Sequence, residues 1–341
     1  MASIFYDSFD HYNQFLQKWS SGVATFNTNP AFVRTGTQSL TASLPGFPNI
    51  PRINFANRLT VICGYAFYPT SFGANGVQIS RWYNQPDQDE MATISVLPNG
   101  SVLLSVNTVV VATSTPGALS VGEFAYIEVK ATLESFGAYE VRINGSAVSG
   151  LVGNFGNFAD YRAFATGADG FMLIGSDVVD VYYDDAYLLD DSGTVNNDFL
   201  GAVQIFAILP DANETPLNFT PLAGTNFSEV NQVPPPGDSA YVFDDSVGAI
   251  DQYHYTITGP SGSFAIKAIQ HSLCARLDSA GSHAIASRIN THTGSGPQVG
   301  TSTVGNDYAF VIQPWDLNPN TGLPFQPADF STTFVGPIIT S

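Results

Sequence analysis

Residues Val181–Gly201 read VYYDDAYLLDDSGTVNNDFLG, with five aspartates, three tyrosines and no lysine or arginine. The first ten residues have strand character: aromatic and aliphatic residues bracket two aspartates, and no helix former recurs at helical spacing. In an unbroken strand Val181, Tyr183, Asp185 and Tyr187 share one face, while Tyr182, Asp184 and Ala186 share the other. One aspartate therefore turns towards an interior or its rim, where a carboxylate persists with hydrogen-bond donors, a cation or water. The two readings are hydrogen bonding to a neighbouring loop and Ca²⁺ ligation by Asp184 and Asp185. The ion needs about six to eight oxygens. Asp184 and Asp190 lie about 17 to 20 Å apart along an extended chain and cannot share it without a sharp bend. Hydrogen bonding is the expectation; Ca²⁺ is the cofactor the alternative would require.

Outward from this stretch, short β-branched or alternating runs bounded by Gly, Pro and Asn recur at 59–69, 76–83, 91–98, 101–114, 124–134, 138–145 and 170–176. Asn99-Gly100 and Asn144-Gly145 supply the positive-φ pairs that two-residue hairpins use. Residues 12–19 alone have helical spacing. After Ser192–Asp198, a polar break containing Gly193 and two asparagines, a second series begins at 202–210 and continues at 239–245, 251–259, 263–278, 283–294 and 307–315. The chain reads as all-β, two β-sandwich (jelly-roll) domains in tandem, 1–192 and 193–341. No fixed-period repeat joins the halves, which disfavours propellers and solenoids.

Composition excludes several function classes. Charged residues are 12% of 341, about half the usual share, so the surface is built from Ser, Thr, Asn, Gln and Gly. A net charge of −18 with three lysines opposes nucleic-acid binding, which depends on clustered cations. Cys63 and Cys274 sit in apolar runs and read as buried thiols; two cysteines cannot build a thiolate zinc centre. The N-terminus has no basic start followed by an apolar run, and no stretch approaches a membrane span.

The order GVQISRWY (76–83), GEFAYIEVKATL (122–133), YEVRINGSAV (139–148) and DVYYDDAYLLDDSG (180–193) resembles the laminin-G or concanavalin-A-like jelly roll. Phe124 stands where that family often carries Trp. The whole chain is similar to an arrangement in virion proteins of tailed bacteriophages: an opening FYDSFDHY (5–12), a D-x-x-G-x-x-N-N-x-F-L-G junction, and a closing segment with Trp315, Asn318, Pro319, Thr321, Gly322, Phe325 and Ala328. The resemblance implies a virion structural protein made in the host cytoplasm, with other tail or capsid subunits as partners and a homo-oligomeric state.

Catalytic patterns fail their spacing tests. Asp87 and Asp89 alternate, but in a loop-like context without the E-x-D-x-x-E spacing of jelly-roll glycosidases. No H-x-H, H-E-x-x-H or G-x-S-x-G pattern is present; GPSGS (259–263) lacks the strand-turn-helix of a nucleophile elbow. Carbohydrate binding has better candidates, because aromatics meet amides and carboxylates between strands: Trp82, Tyr83, Asn84, Asp87 and Asp89 in one segment, Asn154, Asn157, Asp160 and Tyr161 in another. Against it, Trp82 and Tyr83 could straddle a strand, one in the core and one exposed. The reading is a non-enzymatic protein on tail or head, with decoration, fibre or adhesin work and host-surface glycan contact. A Ca²⁺-dependent lectin module and a polysaccharide-degrading enzyme are the alternatives.

Overall fold

The computed structural model describes residues 2–12, 18–20, 25–42, 51–85, 89–161, 166–176, 179–257, 263–278, 283–291 and 298–341. The helix expected at 12–19 falls mostly outside them, as do Asp87 and His292. The chain is all-β and divides into two compact units, Met1–Ile205 and Phe206–Ser341.

The first unit packs two antiparallel sheets. One runs in the order Ser146–Asn154, Ala138–Ile143, Ala125–Thr132, Thr60–Pro69, Val181–Asp190, Ser39–Thr41, Thr25–Asn27, with Ser3–Asp7 also paired to Val181–Asp190. The other runs Arg52–Arg58, Ala168–Leu173, Val77–Asn84, Asp89–Val96, Val102–Val106, Val109–Thr113. Tyr65, in ring contact with Tyr183 of its own sheet, meets Phe171 of the second sheet, which packs on Trp82, and the Tyr183 hydroxyl donates to the Ile79 carbonyl at 2.7 Å. The twelve largest fully buried side chains among the described residues all belong to this unit.

The turns follow their sequence chemistry in part. At Asn144-Gly145 both φ angles are positive, 50° and 79°, and Ile143 pairs with Ser146, so a two-residue hairpin forms as expected. At Asn99-Gly100 only Gly100 is left-handed, and the Leu97 N–H donates to Ser101 O at 2.8 Å, which makes a longer loop.

Val181–Asp190 occupies the centre of its sheet and is buried throughout, but it is not an unbroken strand. Its register against Thr60–Pro69 shifts between Asp184 and Tyr187, and Asp185 is left-handed at φ 49°. The extra residue of this bulge reverses the alternation beyond it. Tyr183 stays in the core, whereas Tyr187 turns to the outer face, its ring over Gly64, where any Cβ would clash. The expectation that Tyr183 and Tyr187 share a face is thereby corrected.

The second unit has a five-stranded antiparallel sheet, in the order Ala212–Leu217, Asp251–His254, Thr333–Ile339, Ala284–Thr291, Gln298–Thr303, and a two-stranded sheet of Ile269–Ala275 with Ala309–Trp315. Its core gathers Ile289, Trp315, Phe325, Phe330 and Val335. The closing motif is a turn that serves this core: Gly322 and Thr321 donate their N–H groups to Asn318 O, and Gly322 is left-handed at φ 70°. Trp315 and Phe325 enter the core from either side of it. Asp251, fully buried, accepts from the N–H groups of Asn218 and Phe219, from Asn226 Nδ2 and from the Tyr253 hydroxyl.

The run at 202–210 is not a strand. The polar break at Ser192–Asp198 does not end the first unit either; that unit continues to Ile205. The backbone of the junction is taken by side chains of the first sandwich rather than by a ladder. Gly201 N–H donates to Glu128 Oε1 at 2.8 Å, Leu200 N–H to the Tyr187 hydroxyl at 3.2 Å, and Ile205 N–H to Asp185 Oδ1 at 2.7 Å. Arg34 donates to Val203 O at 2.7 Å.

Candidate functional site

The acidic pair is a loop anchor. Asp184 Oδ2 accepts from the backbone N–H groups of Arg34 and Thr35 at 2.8 and 3.0 Å, and its Oδ1 from Asp185 N–H at 2.8 Å. Asp185 Oδ2 is ion-paired to the Arg34 guanidinium and accepts from Thr35 Oγ1 at 2.9 Å. Each of the four carboxylate oxygens has a donor, and Arg34 supplies the positive charge a metal would bring. Among the described residues no group of three or more His, Cys, Asp or Glu is arranged to hold a metal ion.

Two carboxyls beside one guanidinium do not both ionise easily away from water. Burial, reinforced by the charge of Asp185, pushes Asp184 up to about 8. Burial also raises Asp185, with Arg34 drawing it back. A carboxyl that holds its proton more tightly folded than unfolded stabilises the fold most at low pH and loses that contribution as pH rises through its folded value. Burial lowers His11 to about 3 and His271 to about 4, which act in the opposite direction below about 6.5. Between pH 6.5 and 8 the first unit should therefore lose stability as pH rises, and Asp184→Asn should flatten that slope. Thermal melts across this window test it; a slope that rises, or is unchanged in the variant, contradicts the assignment.

The predicted aromatic platform at Trp82 and Tyr83 is core. The two do point to opposite faces, but both are buried, at 0% and 1% exposure. Trp82 packs on Phe171, centroids 5.4 Å apart. Tyr83 lies over Gly170 beside Met172 and Ile174 and donates to Asn54 Oδ1 at 2.6 Å. Neighbouring strands cover the face that sequence alternation left open. Asn84, half-buried, donates to Gly167 O at 3.5 Å, and Asp89 opens its strand opposite Asn84, also half-buried.

The second candidate segment is built differently. Asn157 and Asp160 are exposed, and Tyr161 is half-buried. Aromatic contacts run from Tyr139 to Phe155, Phe158 and Tyr161, centroids 5.0 to 6.2 Å apart, and the Tyr161 hydroxyl accepts from Gly156 N–H at 2.8 Å. This loop meets the turn between strands Ala125–Thr132 and Ala138–Ile143. Ser135 Oγ donates to Asn157 Oδ1 at 3.3 Å, Phe136 N–H to Gly156 O at 3.1 Å, and Asn154 Nδ2 to Phe136 O at 3.0 Å. A hydrogen-bond path, Asn84 to Gly167 O and Gly167 N–H to Leu133 O, leads from the first candidate segment towards the same turn.

The turn presents a residue that sequence reasoning passed over. Phe136 is left-handed at φ 65° and 68% exposed. A bulky residue there is a conformational outlier, costing about 1 to 2 kcal/mol. Most of the ring stays in solvent. The signal in the sequence was small: one aromatic in a Ser-Phe-Gly turn between two strands. An exposed flat ring on the turn that Asn154 and Asn157 hydrogen-bond supplies the stacking surface and hydrogen-bonding groups that a sugar ring uses.

No family model and no curated protein matches this chain. Solved structures similar to it include the cellulose-induced protein Cip1, with 14% identity, TM-score 0.40, and coverage of 58% of this chain and 93% of that one. The carbohydrate esterase of the Shiga toxin-encoding bacteriophage phi24B has 10% identity and TM-score 0.38, covering 54% of this chain and 99% of its own. Lectin I-B4 of Griffonia simplicifolia, in metal-free form, has 9% identity and TM-score 0.30 over 49% and 90%. Among the described residues no helix is long and apolar enough to cross a membrane.

Proposed function

We propose that the chain is a non-enzymatic virion structural protein of a tailed phage whose first sandwich contacts a host-surface glycan through the Phe136 loop end. The observation that carries the contact is Phe136 itself, an aromatic ring exposed in an unfavourable backbone conformation on a turn hydrogen-bonded to the 154–157 loop. The non-enzymatic part is supported by how four of the buried carboxylates are used: Asp7, Asp184, Asp185 and Asp251 each accept several hydrogen bonds that tie loops to strands. Asp7, for instance, takes Lys18 Nζ at 3.0 Å and Trp19 Nε1 at 2.8 Å. The virion placement rests on the opening, junction and closing motifs.

Two measurements test the reading. Peptides of this chain should be found at structural copy number in purified particles of the phage that encodes it. Binding to host envelope polysaccharide should fall about tenfold or more in Phe136→Gly, equivalent to about 1.4 kcal/mol. The same variant should melt at an equal or higher temperature, because glycine adopts the left-handed conformation without steric cost. A variant that binds as the wild type removes Phe136 from the site, and release of reducing sugar by the wild type overturns the non-enzymatic reading.

A further inference from the structure

We propose that the first unit closes a covalent cross-link on itself, an amide bond between the Lys18 amine and the Asp7 carboxyl. The two groups already meet, Nζ 3.0 Å from Oδ1, with side chains 1% and 0% exposed. Asp7 ends the strand Ser3–Asp7, which pairs with Val181–Asp190, and Lys18 lies eleven positions further on. Aromatic rings wall the pair off from solvent. Nζ sits 5.2 Å from the Phe5 ring centre and 5.6 Å from that of Tyr12, while Trp19 meets Phe5 edge-on at 5.0 Å and stacks on Phe9 at 6.2 Å. A site that excludes water protects an amide from hydrolysis once it has formed.

The groups around the pair have the layout of an acyl-transfer site. Asp7 Oδ2 accepts from the Tyr12 hydroxyl and from Trp19 Nε1 at 2.8 Å, two donors on the oxygen where negative charge gathers when a nucleophile adds to the carboxyl carbon. Oδ1 faces the amine and also accepts from Phe9 N–H at 2.9 Å, a contact made by a left-handed residue at φ 64°. His11 Nε2 stands 3.1 Å from Lys18 Nζ, within reach of the proton that a base must remove from the amine. An ion pair alone needs neither an imidazole on the amine nor two donors on the second oxygen.

Burial pulls the Lys18 ammonium below the ordinary lysine range, against the attraction of Asp7. Burial pushes Asp7 up, but Lys18, His11 and the hydrogen bonds of Tyr12 and Phe9 hold it below the usual carboxylate range, so the pair rests ionised. The reaction therefore starts with one proton passing from Nζ to Oδ1, which leaves a neutral amine beside a neutral acid. The Nζ lone pair adds to Cγ, the new C–N bond forms, and the electron pair displaced from the C=O bond rests on Oδ2 under Tyr12 and Trp19. His11, kept neutral by burial, takes a second proton from Nζ and hands it to Oδ1. The Cγ–Oδ1 bond breaks, Oδ1 departs as water, and the pair returned by Oδ2 restores the C=O of the amide. No oxidant or co-reactant enters. The step occurs once per chain and leaves the chain without turnover activity.

Peptide mass mapping of the purified full chain tests this without any variant. After denaturation, trypsin should fail to cut behind Lys18, and the peptide that ends at Arg34 should weigh one water less than its sequence, with no backbone fragments released between residues 7 and 18. Lys18→Arg should restore the sequence mass and ordinary cleavage. His11→Ala, with an unchanged circular-dichroism spectrum, should close the link at least about tenfold more slowly. A wild-type chain of sequence mass that is cut behind Lys18 overturns the proposal and leaves an ion pair only. Loss of water with cleavage behind Lys18 intact marks a cyclic imide at Asp7 and overturns it equally. A folded His11→Ala chain that closes as fast as the wild type overturns the proton relay.

Discussion

Replacing Asp185 by Ala should destabilise the first unit by about 3 kcal/mol and open the junction at 192–205 to protease. Breaking a buried ion pair from one side costs about 3 to 5 kcal/mol because the other charge is left without a partner. Here Arg34 is 20% exposed, which places the expected loss at the lower end. Two further donors, Thr35 Oγ1 and Ile205 N–H, lose their acceptor. The left-handed backbone adds to the penalty, since Asp tolerates that region better than Ala. Asp185→Asn keeps a side chain suited to the bulge and removes the charge, so its smaller loss would isolate the ion pair. Urea unfolding followed by limited proteolysis reads both effects. A loss below about 0.5 kcal/mol with no new cleavage would show that the bulge and junction hold without the carboxylate.

Trp82→Ala should cost about 3 to 5 kcal/mol, the range for removing a large buried aromatic from a packed core. It removes the ring that packs on Phe171, its cross-strand partner within the six-stranded sheet. At a temperature where the variant remains folded, glycan binding should match the wild type, because the ring never reaches solvent. Near-wild-type stability together with lost binding would return Trp82 to the recognition surface. The contrast with Phe136→Gly is diagnostic: one variant loses stability and keeps the contact, the other loses the contact and keeps stability.

The sequence by itself determined the all-β class, the Asn144-Gly145 hairpin and the existence of two strand series, because each depends on local chemistry. Alternation, β-branching and turn residues act over a few positions and need no partner to be read. It also marked Asp184 and Asp185 as groups whose surroundings mattered. The tertiary structure alone decided what those surroundings were. Arg34 and Thr35, about 150 positions away, supply donors that no local pattern announces. One bulge residue then reversed the side-chain faces beyond Asp184, and period-two reasoning cannot see an inserted residue. The run at 202–210 looked like an opening strand because it is apolar and β-branched, yet Asp185 and Arg34 take its first backbone groups. Trp82, a candidate recognition residue, is core and Phe136, which no pattern marked, is exposed for the same reason. Burial belongs to the sheets assembled around a residue, and an aromatic side chain carries no mark of which neighbours will cover it.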